Sequence, residues 1–228
     1  MAVSQVLALA LLLPVGCALW VALTGPRANL RDGGTVVFTL LTFAAVAGLV
    51  GPVLDGERPG LVIVEVFDGI ALAFEVEPLG LIFGLVASGL WIVTSIYAFG
   101  YMRGHHEENQ TRFFVCFAIA IAAALGIAFS QNLFTLFLFY EVLTFSTYPL
   151  VTHHGTDQAR LAGRTYLGIL VSTSVGLLLL AIGWTWQIAG TLDFKPGGLL
   201  DRGVDPTVLG LLLLLFAFGT GKAALMPF

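Results

Sequence analysis

The stretch from Asn132 to Val151, NLFTLFLFYEVLTFSTYPLV, decides how the rest of the chain is read. Crossing a hydrocarbon core takes about 20 apolar residues in a helix, and this stretch supplies them. One carboxylate, Glu141, stands at its centre. At a rise of about 1.5 Å per residue it lies roughly 14 Å from either end. An ionised group at that depth costs about 2.5–3.5 kcal/mol on insertion scales. A sequence that keeps it must supply a partner, a proton or a task. One other apolar span carries a charge, Lys222 in LFAFGTGKAALMPF. The two residues are expected to face each other.

Working outward, the whole chain has the composition of a membrane protein. Of its 228 residues, 58% are hydrophobic and 11% charged, whereas soluble domains are about a quarter charged. The net charge of −4 and the lack of a basic stripe argue against a nucleic-acid partner. Cys17 and Cys116 fall in apolar spans far apart in sequence, as small buried hydrophobes rather than a disulfide or metal pair. Met1 to Leu23 has no positive n-region and too long an apolar run for a secretory signal, so it is expected as a first transmembrane helix.

Seven spans are predicted: Val3–Leu23, Thr35–Leu54, Leu79–Phe99, Phe113–Phe129, Asn132–Val151, Tyr166–Ala189 and Thr207–Phe228. Loops after the first, third and fifth hold Arg27, Arg31, Arg103, Arg112, Arg160 and Arg164; the other loops hold Arg58, Lys195 and Arg202. The positive-inside rule then puts the first set in the cytoplasm and the N-terminus outside. In the second loop, Leu61–Val66 and Ile70–Val76 are rich in β-branched and aromatic residues around Asp68-Gly69, which predicts an outer-face β-hairpin. In the last span Gly219 and Gly221 flank Lys222 and Pro227 follows, so the helix should break beside the lysine. Irregular backbone at membrane depth is tolerated only against protein or a wet cavity. Gly80 and Gly84 in the third span read as close helix packing. The expected fold is therefore an all-α polytopic membrane protein of about seven transmembrane helices, with a short extracytoplasmic β-hairpin and a broken seventh helix.

The chemistry centres on Glu141 and Lys222. Burial favours the neutral form of an acid or an amine, and mutual pairing favours the charged forms. Opposed in this way, a buried pair can be switched by small changes of distance or wetting, which a proton relay requires; the alternative is a static ion pair pinning two helices. Thr144 and Tyr148 follow Glu141 by one and two turns and share its face, as pathway residues or as polar glue between helices. Ser172, Thr173 and Ser174 are weaker candidates of the same kind. His105-His106 and His153-His154 lie in cytoplasmic loops. Neighbouring residues on a helix do not share a face, so no metal chelate is expected; the pairs either gather protons at an entry mouth or are solvated loop residues. The run Gly219-Thr220-Gly221-Lys222 lacks the βαβ setting of a nucleotide loop. No cofactor ligands are expected.

RFFVCFAIAIAAALGIAFSQNLFTLFLFYEVLTFSTYPLV and GTGKAALMPF resemble the antiporter-like subunits of ion-pumping membrane complexes. These are the large subunits of Mrp-type cation/proton antiporters and their relatives in respiratory complex I and membrane-bound hydrogenases. FLFYEVLTFSTYPLVTHHGT and FGTGKAALMPF look most similar to the Mrp D subunit. The resemblance implies fourteen helices with two inverted five-helix repeats, and it matches Glu141 and Lys222 to the family's proton-handling pair. It divides the chain into residues 1–112, a three-helix segment with the hairpin, and 113–228, four of the five helices of a first repeat. The expected function is that of the N-terminal portion of a proton-translocating subunit in a multi-subunit monovalent cation/proton antiporter, a secondary transporter rather than an enzyme. It would sit in a bacterial-type cell membrane, with other subunits and a polypeptide supplying the later helices as partners. Two readings stand beside it: the pump subunit of a complex I-like or hydrogenase-type redox complex, and a scaffold half-subunit that transports nothing.

Overall fold

The computed structural model describes residues 2–67, 69–200 and 203–221. The helices are α1 (Val3–Thr24), α2 (Ala28–Ala47), α3 (Val50–Leu54), α4 (Pro78–Gly104), α5 (Gln110–Ala128), α6 (Leu133–Val151), α7 (Asp157–Thr173), α8 (Leu179–Ala189) and α9 (Pro206–Gly219). Strands β1 (Gly60–Phe67) and β2 (Ile70–Glu75) lie between α3 and α4, and a π-helical turn, Ser174–Leu178, joins α7 to α8. Among the described residues six helical runs are long and apolar enough to cross a membrane, counting α2 with α3 and α7 with α8; α9, of 14 residues, is apolar but shorter. The first six predicted spans are therefore present. The seventh begins as α9, and its later part, with Lys222 and Pro227, lies outside the described residues.

Local chemistry sets the boundaries. Pro78 opens α4 and Pro206 opens α9, where a missing backbone N–H costs nothing. Asn132, Thr156 and Asp205 cap α6, α7 and α9, their side chains accepting from the backbone N–H of Thr135, Ala159 and Thr207. Gly190, at φ +69°, closes α8 in the left-handed conformation. Two starts come earlier than predicted. The second span opens at Ala28 rather than Thr35, and the sixth at Asp157 rather than Tyr166. In both, polar and charged residues form the first turns, so a hydropathy reading places the boundary too late. Arg31 and Asp32 thus belong to a helix and not to a loop.

The hairpin forms where the Asp-Gly turn was expected. β1 and β2 pair antiparallel from Gly60↔Glu75 to Phe67↔Ile70, with Gly69 at φ +77°. It is bonded to the start of α6. Ala73 N donates to Thr135 Oγ1 (3.0 Å), and Asn132 Nδ2 donates to the Ala71 carbonyl (2.9 Å). Glu75 N donates to Phe129 O and Gln131 N to Ala73 O. On the far side, Leu133 N bonds Leu192 O and Phe194 N bonds Gln131 O. The two strands and the segments around Gln131 and Asp193 therefore make one backbone-bonded platform, and α6 rises from it.

Helices α1, α2, α4 and α5 pack as a four-helix bundle, with α6 against α5. One apolar core, around Leu7, Leu49, Leu125 and Phe129, lies towards the hairpin; a second, around Cys17, Trp91, Met102 and Phe114, lies at the other end. A third joins Phe137 of α6 to Leu178 and Ile182, with Phe216 of α9 packed on it. Gly80 and Gly84 act as the sequence suggested. A Cβ on Gly80 would stand 2.1 Å from the Ala128 carbonyl oxygen, and one on Gly84 would stand 2.7 Å from the Phe129 ring.

Candidate functional site

Glu141 sits midway along α6 and is half-buried. Its Oε1 is fully buried and has no hydrogen-bond partner among the described residues. Buried polar atoms are rarely left so, and such an atom in a native protein calls for an explanation. Thr144, one turn on, is buried and donates its hydroxyl proton to Tyr140 O at 3.0 Å, which leaves its lone pairs free. Tyr148 packs on Gly163 of α7, where a Cβ would meet its ring at 3.2 Å. Between these turns Thr147 Oγ1 and Tyr166 Oη lie 3.3 Å apart across the α6–α7 crossing.

Lys222 lies outside the described residues, and so does the predicted Glu141–Lys222 contact. What the structure gives is the approach to it. Phe137, one turn before Glu141, and Phe216, on the helix leading to Lys222, belong to the same apolar cluster. α-Helical geometry stops at Gly219. A Cβ on Gly219 would lie 2.6 Å from Leu178 N, and one on Gly221 would lie 2.9 Å from Thr173 Oγ1. The end of α9 is thus pressed on the π turn of the preceding span. Irregular turns of this kind are enriched at functional sites. Ser174 opens that turn, fully buried, and donates to Leu170 O at 2.8 Å. Thr173 is buried and bonds its own helix. Ser172 departs from the expected arrangement: it is exposed on the outer face of α7, away from the other candidates.

The two histidine pairs come together at the opposite end of α6 from the hairpin. They line one polar cleft of about 440 Å³ with Glu107, Glu108, Arg112 and Arg160. His153 Nε2 is 3.7 Å and His154 Nδ1 is 4.0 Å from Glu107 Oε2. Arg112 donates to the His153 carbonyl at 3.0 Å. Burial and, after it, the Arg112 cation lower the pKa of His153; His154 adds to this and Glu107 opposes it. Sequence spacing separates the pairs by nearly fifty residues, so their convergence and the part of Glu107 were not legible. Among the described residues no three of His, Cys, Asp and Glu gather as a metal chelate.

A second charged cluster also escaped the sequence reading. Arg31 and Asp32, on the first turns of α2, are buried. Arg31 Nε donates to Asp32 Oδ1 at 2.7 Å, and Arg103 from the end of α4 grips Oδ2. Gln110 of α5 accepts from Arg31 at 3.1 Å, and the Arg31 guanidinium lies 4.9 Å from the Phe114 ring centre. The same arginines had served only to set orientation; nothing in local sequence ties Asp32 to a residue seventy positions away.

Residues 130–228 match the family described as NADH:quinone oxidoreductase/Mrp antiporter, TM. By that match, residues 130–228 carry the membrane region of the antiporter-like family. The subunit is 27% identical over 233 residues to a putative antiporter subunit of Staphylococcus aureus, mnhD2, across 100% of this chain and 46% of that one. It is 29% identical over 139 residues to NADH-quinone oxidoreductase subunit N of Campylobacter jejuni, across 60% of this chain and 30% of that one. The subunit therefore spans half or less of the length of these relatives. Its fold is that of a chain in the Mrp complex from a Dietzia species (TM-score 0.79, 19% identity, 100% of this chain and 42% of that one). It is also that of a chain in the membrane-bound sulfane sulfur reductase, an archaeal respiratory membrane complex (TM-score 0.78, 23% identity, 94% and 44%). The resemblance drawn from the glutamate and lysine motifs holds.

Proposed function

We propose that the subunit is the N-terminal portion of a proton-translocating component of a multi-subunit monovalent cation/proton antiporter, with Glu141 and Lys222 as its relay. The observation that carries this is the buried Oε1 of Glu141 at mid-helix, which has no partner among the described residues. A carboxylate in that setting is stable when it holds a proton or meets a cation, and it can exchange one for the other as its surroundings change. Glu141 takes a proton from the side of the histidine cleft. Lys222 then alters its affinity by approaching or withdrawing, and charge passes on towards helices beyond this chain. Residues 1–112 serve as a three-helix support with the hairpin, and 113–228 as the larger part of a first repeat. The histidine cleft faces the cytoplasm and the N-terminus lies outside a bacterial cell membrane. Other subunits, and a polypeptide carrying the later helices, complete the machine.

The relative named as a subunit of NADH-quinone oxidoreductase supports a second reading, in which the same relay is driven by electron transfer in a neighbouring subunit. The test takes Glu141→Gln and Lys222→Ala in the assembled complex in proteoliposomes. Each should reduce proton-coupled flux at least tenfold with assembly intact. Unchanged flux in both favours a scaffold. Flux that appears only with an electron donor favours the redox machine.

A further inference from the structure

Helix α2 buries its polar face. Its buried positions from the first turn to beyond mid-helix are Arg31, Asp32, Thr35, Thr39 and Thr42, spaced so as to share one side. Val37, Leu40, Leu41 and Phe43 are exposed instead. The polar side meets α1 and α4 inside the four-helix bundle. There α4 presents Ser88 and Ser95 from its own buried face, and Cys17 of α1 lies in hydrogen-bonding reach of Thr35. Small polar residues often do no more than let helices approach in lipid. Two features go beyond that.

Most of these hydroxyls are spent on their own helices. Thr35 donates to Arg31 O, Thr39 to Val36 O, Thr42 to Phe38 O and Ser88 to Gly84 O. A hydroxyl that donates in this way can still accept. Ser95 breaks the pattern: the residue is 1% exposed, and its Oγ has no partner among the described residues. Leaving a buried hydroxyl unpaired is costly, and internal water is the usual remedy. The second feature is on α1. Pro14 is buried and has no N–H, so it cannot close the helical bond to the carbonyl of Ala10, which is also buried. The bundle interior thus offers one unspent donor and several free acceptors.

We propose that this interior holds a short file of water anchored on Ser95 and running along Thr39 and Thr42, separate from the Glu141 helix. Charge selects water over an ion. One end is closed by Arg31 and Arg103 against the single carboxylate of Asp32, so a cation meets an excess of positive charge, and an anion would find few unspent donors beyond it.

Water-edited solid-state NMR on the full subunit, in its assembled complex in bilayers, reads magnetisation passed from water to each side chain. Thr39 and Ser95 should receive it several-fold faster than Thr94, the neighbour of Ser95 that is exposed on the outer side of α4. Ser95→Ala should slow Thr39 to the pace of Thr94 while backbone shifts stay in place, and Glu141→Gln should change neither. Thr39 and Ser95 as slow as Thr94 in the unaltered protein would overturn the proposal. So would a Thr39 whose hydration survives Ser95→Ala.

Discussion

Glu141 and His153 are both titratable groups close to apolar surroundings, and they differ in company. Glu141 was legible from sequence because a single charge in an apolar span is conspicuous by itself. His153 was legible only as one of a loop pair, because its environment is assembled from Glu107 and Arg112, more than forty residues away. That environment makes a prediction. With its pKa lowered, His153 stays neutral in the folded subunit to a lower pH than in the unfolded chain. The unfolded state then binds more protons below the ordinary histidine value of about 6.5, so this group subtracts stability as pH falls through that range and is without effect well above it. A titration followed by NMR should give His153 a midpoint below that of an unperturbed histidine. Removing the cation with Arg112→Gln should raise it, and Glu107→Gln should lower it further. A midpoint that ignores both changes would mean that the charges of the cleft do not reach the ring.

Among the elements, α6 is the best specified, since it is seated at one end and carries the acid at its middle. Asn132 caps its first turn at 2.8 Å through Thr135 N and also holds the Ala71 carbonyl of the hairpin. Asn132→Ala removes both bonds and should cost about 1–2 kcal/mol, read as a lower unfolding midpoint of the subunit. Crossings of helices with glycine give a sharper test. Gly80→Ala drives a methyl into the Ala128 carbonyl oxygen, a backbone atom with little room to yield, and should cost about 1–3 kcal/mol. Gly100→Ala, with nothing within 4 Å, should be neutral or slightly stabilising. The spans and the hairpin were readable because lipid forces an apolar length and an Asp-Gly pair favours one tight turn. The early starts of α2 and α7 were not readable, because charged first turns resemble loops until tertiary partners are known. The π turn after Thr173 carries no sequence signal that we recognise; it is visible only where Gly219 packs on Leu178.

At the scale of the whole molecule, the bundle of α1, α2, α4 and α5 and the α6–α9 side are built on different chemistry. The α6–α9 side joins through apolar clusters and close glycine contacts. The bundle of α1, α2, α4 and α5 is tied by charge at one end, where Asp32 binds arginines from two helices and Gln110 brings in a third. The tie carries a liability, because removing the single carboxylate leaves Arg31 buried without its countercharge. Asp32→Ala should therefore destabilise the subunit by about 3–5 kcal/mol, far more than an ion pair on the surface would. Arg58→Ala, which removes only an exposed bond to the neighbouring Glu57 carbonyl, should shift the unfolding midpoint little. If both substitutions left the midpoint alike, the triad would be an incidental contact and the stability of the bundle would have to come from its apolar cores alone.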